Sequence, residues 1–259
     1  MGVMNTEIAE LVRRHDPDRF LTALFAPPEK RDALLTLYAF NHELARAREV
    51  TSEPHMALIR LQWWREVVEG TRRRHEVATP LSDAIAQGLL APADLLAIVD
   101  GREIEADPYI ETLSDWRTYL LAGAGGLAVA AARLLGAPDP EALRPFGAAY
   151  GAVGVLRSVP MLAAQGRCLL PADVLAEHGL VPEAIAGGAN PEPVLRRLAD
   201  EARAFMEACR RIRVPKPTIA AALPLVLARR DLRRLVRPPK PRGFGDKFAV
   251  LVAGVTGML

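Results

Sequence analysis

Hydrophobic residues recur at helical spacing along most of this chain, with polar residues at the positions between them. Leu61, Trp64 and Val68, for example, fall on one face of a helix, and the charged residues between them fall on other faces. Proline, glycine and Asp/Ser/Thr residues interrupt the pattern where helices are expected to begin or end. The predicted helices are 6–14, 16–25, 28–49, 54–73, 81–88, 91–105, 112–135, 141–162, 172–178 and 191–212. A final helix at 220–236 belongs to one of two interpretations of the C-terminal part.

The composition favours an all-α fold in a single large domain. The chain has 259 residues, of which 50% are hydrophobic and only 5% aromatic, and Ala and Leu dominate. The net charge is +2, from 33 basic and 31 acidic residues, so the charge balance does not indicate a nucleic-acid partner.

Glycines at 123, 125 and 126 lower the stability of the helix predicted there, by up to ~1 kcal/mol per glycine. Small residues at such a cost predict close helix packing or a pocket wall.

The N-terminal residues do not resemble a secretion or transit signal, because acids at Glu7 and Glu10 interrupt them. No run of about 18 apolar residues is present, so no membrane-spanning helix is expected.

Cys168 and Cys209 have neither metal-ligand spacing nor a disulfide framework, which favours a reducing, cytoplasmic location. The histidines lack the helical pairing of a zinc site, and His42 is expected to be a hydrogen-bonded, partly buried residue.

The helix predicted at 28–49 carries the first candidate chemistry. Ala45 and Glu49 lie four residues apart and therefore share a face. Carboxylates at such a spacing can hold Mg²⁺, a hard ion that joins carboxylates to phosphate oxygens. Here only Glu49 is acidic, so this face is a poor magnesium site.

Two long runs in this region resemble the N-terminal third of the squalene/phytoene synthase family. They are FLTALFAPPEKRDALLTLYAFNHELARAREV and LIRLQWWREVVEG. The family consists of all-helical head-to-head prenyltransferases. In the resemblance, the paired aspartates of its first motif fall on Ala45 and Arg46 and the last aspartate on Glu49. The family's Cys-Arg falls on Asn41 and His42, and a diphosphate-binding serine on Arg19.

A second run, GAVGVLRSVPMLAAQGRCLLPADVL at residues 151–175, resembles the family's second aspartate-rich motif. Arg157, Gly166, Arg167, Leu170 and Pro171 fit that motif without a gap. Its two aspartates fall on Ser158 and Leu162. Both metal-binding helices thus keep their frame and lose most of their carboxylates.

Within the family, the chain resembles the non-catalytic branch that includes the mitochondrial assembly factor for respiratory complex I. The matching residues are Asn41, Glu43, Leu44, Ala45, Arg60, Gln62 and Trp64. The family resemblance covers roughly residues 16–235 and implies an isoprenoid-synthase-like helical bundle around a central cavity. The expected organisation is an N-terminal extension at 1–15, the family domain at 16–236, and a Pro-rich basic linker with a short apolar tail at 237–259.

The resemblance also implies a vestigial substrate pocket with no catalytic residue and no metal. Glu105 stands where a family segment ends in Asp, and Tyr119 matches a Tyr-x-x-Ala-Gly pattern. The expected pocket residues are Tyr38, Asn41, His42, Ala45, Glu49, Glu105, Tyr119, Arg157, Ser158, Leu162 and Arg167. Arg46 and Arg48, together with Arg157 and Arg167, are expected to make its wall suitable for an anion.

The leading functional hypothesis is a catalytically degenerate binding or assembly factor that needs no cofactor. Respiratory-complex subunits are its expected partners, and an isoprenoid or another lipid its expected ligand. The alternative is an active head-to-head prenyltransferase that uses prenyl diphosphates and Mg²⁺. A third hypothesis is a lipid carrier at a membrane surface.

The C-terminal part allows two interpretations. Residues 220–236 are apolar and then basic, and a short apolar tail follows. The basic residues of this part are Arg229, Arg230, Arg233, Arg234 and, just after it, Arg237. The first interpretation is a final core helix with solvated arginines and a tail folded back on the bundle. The second is a peripheral contact with the inner face of a membrane, in which cations attract anionic headgroups and the tail enters the interface.

Overall fold

The structure is a computed structural model that describes residues 5–49, 53–235 and 241–259. Its residues form helices joined by short turns, and the one β-type contact in the described part is an isolated bridge between Ile110 and Pro171. The α-helices are α1 (Thr6–His15), α2 (Pro17–Ala23), α3 (Pro28–Glu49), α4 (Pro54–Val68), α5 (Ala78–Ala86), α6 (Pro92–Asp100), α7 (Leu113–Leu120), α8 (Gly126–Leu135), α9 (Arg144–Ala164), α10 (Ala172–Glu177), α11 (Pro182–Ala186), α12 (Glu192–Ala208), α13 (Ile219–Ala222), α14 (Pro224–Leu232) and α15 (Phe244–Thr256).

Local sequence explains where several of these helices begin and end. The Asn5 side chain accepts a hydrogen bond from the Ile8 amide at 3.2 Å and caps α1. Asp16 caps α2 by accepting from the Arg19 amide at 3.1 Å. Helix α8 ends at Gly136, which adopts a left-handed φ of 87° that favours glycine.

Two long helices organise the bundle. Helix α9 packs against α8, α12 and α14, and α3 packs against α1, α4, α5 and α8. Both helices bury large side chains completely, among them Phe40 on α3 and Phe146 on α9. One hydrophobic core runs through the bundle, and a smaller cluster around Leu223 and Val250 lies beneath α15.

The helix predicted at 112–135 contains a π-helical turn at Leu121–Gly125, between α7 and α8. The turn places Ala124 against α9, where the backbone approach is very close. A Cβ added at Gly147 would lie 2.1 Å from the Ala124 carbonyl oxygen, and one at Gly151 would lie 2.5 Å from the Ala124 Cβ. The small residues of this region therefore permit close helix packing, as the sequence predicted.

Other boundaries differ from the predictions. Helix α4 ends at Val68, because the chain turns at Gly70 with a φ of 111°. The stretch predicted as one helix at 220–236 is divided at Pro224 into α13 and α14. Helix α11 was not predicted, and the apolar tail forms α15.

Two stretches of the described chain, Leu113–Leu135 and Glu141–Ala164, are long and apolar enough to cross a membrane by length and composition alone. Neither stretch contains 18 consecutive apolar residues, since Arg117, Arg133 and Arg144 interrupt them, and no spanning helix was therefore expected from the sequence. Within the bundle, 72% and 56% of their most apolar windows are buried. Packing in the core accounts for this composition.

Candidate functional site

A cavity of about 240 Å³ opens between α3, α7, the π turn and α9. Six of the residues predicted for the pocket line it: Ala45, Glu105, Tyr119, Ser158, Leu162 and Arg167. Arg19, Arg102 and Tyr150 line it as well. Three guanidinium groups and one carboxylate therefore face the same small space.

The carboxylate of Glu105 is buried and held by two donors. Tyr119 Oη donates a hydrogen bond to Glu105 Oε1 at 2.6 Å, and Arg102 forms an ion pair with the same oxygen. Burial raises the pKa of Tyr119, and the neighbouring charge of Glu105 raises that pKa further. The phenol therefore stays protonated and donating, and Glu105 acts as the counter-charge of Arg102.

Arg102 joins this pair to α3. Its Nη2 donates to Oδ1 of the buried Asn41 at 2.9 Å, so Asn41 supports the cavity wall from behind. Burial opposes the charge of Arg102, but the charge of Glu105 and its hydrogen bond to Arg102 outweigh it and raise the pKa of Arg102. The guanidinium is thus fixed in place as a cation.

Arg19 supplies the second fixed cation. Its Nη1 lies 2.8 Å from Asp16 Oδ2, and its guanidinium lies over the Tyr150 ring, 4.8 Å from the ring centre, and over the Tyr38 ring at 5.8 Å. Tyr38 lines a separate void of about 10 Å³ beside the main cavity. Burial raises the pKa of Tyr38, so its hydroxyl is protonated.

Three of the positions that match the family's aspartates reach the cavity, and none of the three carries a carboxylate. Ala45 and the buried Leu162 contribute methyl groups, and the Ser158 hydroxyl donates to the Val155 carbonyl oxygen at 2.8 Å. Arg46 is exposed, pairs with Glu43 at 2.9 Å, and lies beside Trp63 of α4 in a separate pocket. The described residues contain no group of three or more His, Cys, Asp or Glu that could hold a metal ion.

These residues do not fit a magnesium–diphosphate site. Mg²⁺ requires oxygen ligands, usually carboxylates, and Glu105 already neutralises Arg102. The side chain of Glu49 lies outside the described part of the chain. The arrangement instead suits an anion, because guanidinium groups donate to phosphate or carboxylate oxygens without a metal.

Two of the predicted pocket residues lie elsewhere. His42 stacks on His15 with ring centres 4.5 Å apart, and burial, followed by the charge of His15, lowers the pKa of His42. Arg157 pairs with Asp231 of α14 at 2.6 Å. Neither residue lines the cavity.

Sequence reasoning missed Arg102 and Tyr150. Arg102 lies three residues before Glu105, a spacing that allows an ion pair across one helical turn, and this was the signal available. Tyr150 immediately precedes the second motif, but only the tertiary fold brings its ring beneath the Arg19 guanidinium.

The pattern that defines the squalene/phytoene synthase family matches residues 12–249. The chain belongs to the squalene/phytoene synthase family. Solved structures of this family share its architecture: a dehydrosqualene synthase superposes with a TM-score of 0.78 over 97% of this chain and 95% of that chain, at 16% identity. Squalene synthase HpnC from Alicyclobacillus acidocaldarius superposes with a TM-score of 0.68 over 96% and 92%, at 18% identity. The predicted family and isoprenoid-synthase fold are confirmed.

The proteins that this chain resembles in sequence carry two kinds of name. Complex I assembly factor 6 of Rattus norvegicus is 29% identical over 241 residues, 88% of this chain and 72% of that protein. The Homo sapiens protein of the same name is 30% identical over 182 residues, 67% of this chain and 55% of that protein. Phytoene synthase of Rhodobacter capsulatus is 25% identical over 199 residues, 74% of this chain and 59% of that protein. The chain therefore spans little more than half the length of the human and bacterial relatives.

Proposed function

We propose that this chain is a catalytically degenerate family member that serves in the assembly of a respiratory complex. The observation that supports it most directly is the cavity wall, where Ala45, Ser158 and Leu162 stand in place of three of the family's aspartates. The relatives named as complex I assembly factors favour the same function. The proposed partners are respiratory-complex subunits, and the proposed location is cytoplasmic, peripheral on the inner membrane face.

The physical argument concerns the leaving group. Ionisation of a prenyl diphosphate moves negative charge onto the diphosphate, and a metal clamp held by carboxylates stabilises that charge in the enzymes. Glu105 is the only carboxylate described among the cavity-lining residues, and it is engaged by Arg102 and Tyr119. A cavity of this kind can bind the anionic head of an isoprenoid or another lipid but lacks the groups that would hold the metals.

The second candidate is an active head-to-head prenyltransferase. The retained fold favours it, as does the relative named phytoene synthase. Arg167 lines the cavity and could contact a diphosphate in either function.

A turnover assay separates the two candidates. The purified protein is incubated with farnesyl or geranylgeranyl diphosphate and Mg²⁺, and products are extracted and compared with a chelator-treated sample. We expect no head-to-head product above that control, with a squalene synthase as the positive control. Product formation at ordinary enzyme rates, about 1 s⁻¹ or faster, would overturn the degenerate assignment.

The assembly role is tested by affinity purification of the tagged protein from native membranes of its own source, followed by identification of co-purifying proteins. We expect respiratory-complex subunits to be enriched over a tagged control of similar size and charge. Recovery of none of them, under conditions that keep the complex intact, would contradict the role.

A further inference from the structure

Helix α15 exposes an unusually apolar face. Six large hydrophobic side chains on it and just beyond it point to solvent, with Phe244 83% and Phe248 53% exposed. The others are Leu251, Val252, Val255 and Met258. Their spacing places them on adjoining faces of the helix. An exposed apolar surface of this extent marks an interaction site.

Contacts on the opposite side of α15 hold the helix against the bundle, so its apolar face remains exposed to solvent. On the opposite side, Asp246, Val250 and Ala253 are buried, and α15 packs against α14 and α2. Asp246 accepts from Arg230 Nε at 2.6 Å and from Arg234 Nη1 at 3.2 Å. Both arginines are therefore engaged in ion pairs with α15.

A basic groove of about 990 Å³ borders the C-terminal end of the same helix, where Thr256 and Leu259 contribute to its wall. Four cations in the groove make no ion pair with any described carboxylate: Arg213, Lys216, Arg229 and Arg233. Glu207 is the one acidic residue described in the groove wall, and Arg210 pairs with it at 3.1 Å. The surface beside α15 thus carries an excess of positive charge.

We propose that the exposed face of α15 and this groove together form a docking face for a bilayer that contains anionic lipids. The apolar side chains enter the interface while the four cations contact phosphate groups of the headgroups. Charge complementarity selects this occupant. A second copy of the chain would bring two basic grooves together, and like charges would repel.

The proposal does not depend on whether the central cavity is catalytic, because none of the cavity residues belongs to the docking face. The arginines of the basic C-terminal run have two different roles in this proposal. Arg230 and Arg234 hold α15 in place, whereas Arg229 and Arg233 line the groove. Arg237 lies outside the described residues.

Vesicle flotation tests the apolar part. The full chain is mixed with neutral phosphatidylcholine vesicles or with vesicles that also contain phosphatidylglycerol, and the bound fraction is measured. We expect binding to the anionic vesicles. In the variant Phe244→Ser/Phe248→Ser binding should fall on the order of tenfold or more, since two aromatic side chains no longer enter the interface. Met56→Ser/Ile59→Ser, which changes two exposed apolar residues on α4, is the matched control and should bind like the wild type.

The electrostatic part is tested with Arg213→Gln/Arg233→Gln. At low ionic strength the binding of this variant to anionic vesicles should fall roughly 30-fold, because each cation removed costs about fivefold. Added salt should also weaken the binding of the wild type, since it screens the same charges. Arg72→Gln/Arg74→Gln removes two exposed cations from another part of the surface and is the control. Circular dichroism checks that each variant is folded.

Insertion is measured separately with Phe248→Trp, whose emission should shift to shorter wavelength with anionic vesicles and not with neutral ones. The proposal is overturned by an absence of flotation with anionic vesicles. It is also overturned if Phe244→Ser/Phe248→Ser binds like the wild type, or if neutral and anionic vesicles bind the protein equally.

Discussion

Glu105 is a carboxylate at a position where the family resemblance expects an acidic residue, but in the structure it serves as the ion-pair partner of Arg102. In the family resemblance it stands where a family segment ends in Asp, and the expectation was a remnant of that acidic residue. In the structure it is buried, paired with Arg102, and hydrogen-bonded by Tyr119. A buried carboxylate that is already compensated in this way gains little by binding a cation, because it would have to release a guanidinium first.

The variant Arg102→Met should destabilise the protein by about 3–5 kcal/mol, because it leaves the buried Glu105 carboxylate without its counter-charge. The free energy of unfolding from urea denaturation measures the effect. In the double variant Arg102→Met/Glu105→Leu the charge is gone too, and we expect most of the loss to be recovered. Equal destabilisation in the single and double variants would show that the two side chains do not interact energetically.

The sequence could predict the cavity residues that lie on recognisable motifs, such as Ala45 and Ser158, because a helix fixes the direction of each side chain relative to its neighbours. It could not predict the contribution of Tyr150. That residue lies beside Arg19 in the cavity wall, a contact between side chains more than 100 positions apart in the chain, which only the tertiary fold sets. Nor could it predict that Arg157 pairs with Asp231 of α14 at 2.6 Å.

At the scale of helices, hydrophobic periodicity and proline positions were sufficient for α3, whose bounds, Pro28–Glu49, are those predicted. They were insufficient at Leu121–Gly125, where a π turn interrupts an otherwise continuous apolar stretch. A π turn depends on packing against a neighbour, here α9, and has no separate hydrophobic period. The short α11 was missed because five residues are too few to display a helical pattern.

The contact between the π turn and α9 gives a prediction with an internal control. Gly147→Ala should destabilise the protein by about 1–3 kcal/mol, because the new Cβ would lie 2.1 Å from the Ala124 carbonyl oxygen and force the two helices apart. Gly154→Ala lies on the same helix, and an added Cβ there meets nothing within 4 Å. We expect that variant to be neutral or more stable by up to about 1 kcal/mol. Thermal and urea unfolding of the pair would measure the difference, and equal stabilities would contradict the packing argument.

At the scale of the whole molecule, ion pairs join segments that are distant in the chain. Arg242, just before α15, donates to Asp18 of α2 at 2.7 Å and to Asp231 of α14 at 2.7 Å. Asp231 also pairs with Arg157 of α9, and Tyr150 donates to Asp18 at 3.1 Å. One network therefore links α2, α9 and α14 to the segment that precedes α15, and it lies next to the cavity at Tyr150.

Arg242 is the centre of that network. Burial opposes its charge, but hydrogen bonds to Asp18 and Asp231 outweigh this and raise its pKa. The variant Arg242→Ala leaves these two buried carboxylates without the cation between them. We therefore expect a loss of about 3–5 kcal/mol in the free energy of unfolding. Arg242→Lys should lose less, since it keeps the charge but not the forked geometry.

The same substitution should loosen the attachment of α15, because Arg242 lies one residue before Gly243, whose amide donates to Asp246 at 3.3 Å. Limited proteolysis under native conditions should then cut Arg242→Ala near residues 241–245 faster than the wild type. Arg203→Ala, which removes an exposed ion pair with Asp200, is the control and should be cut like the wild type. Unchanged cleavage in Arg242→Ala would mean that the contacts of Val250 and Ala253 hold α15 in place without the ion-pair network. The network of Arg242 would then contribute to the free energy of unfolding but would not determine where α15 lies.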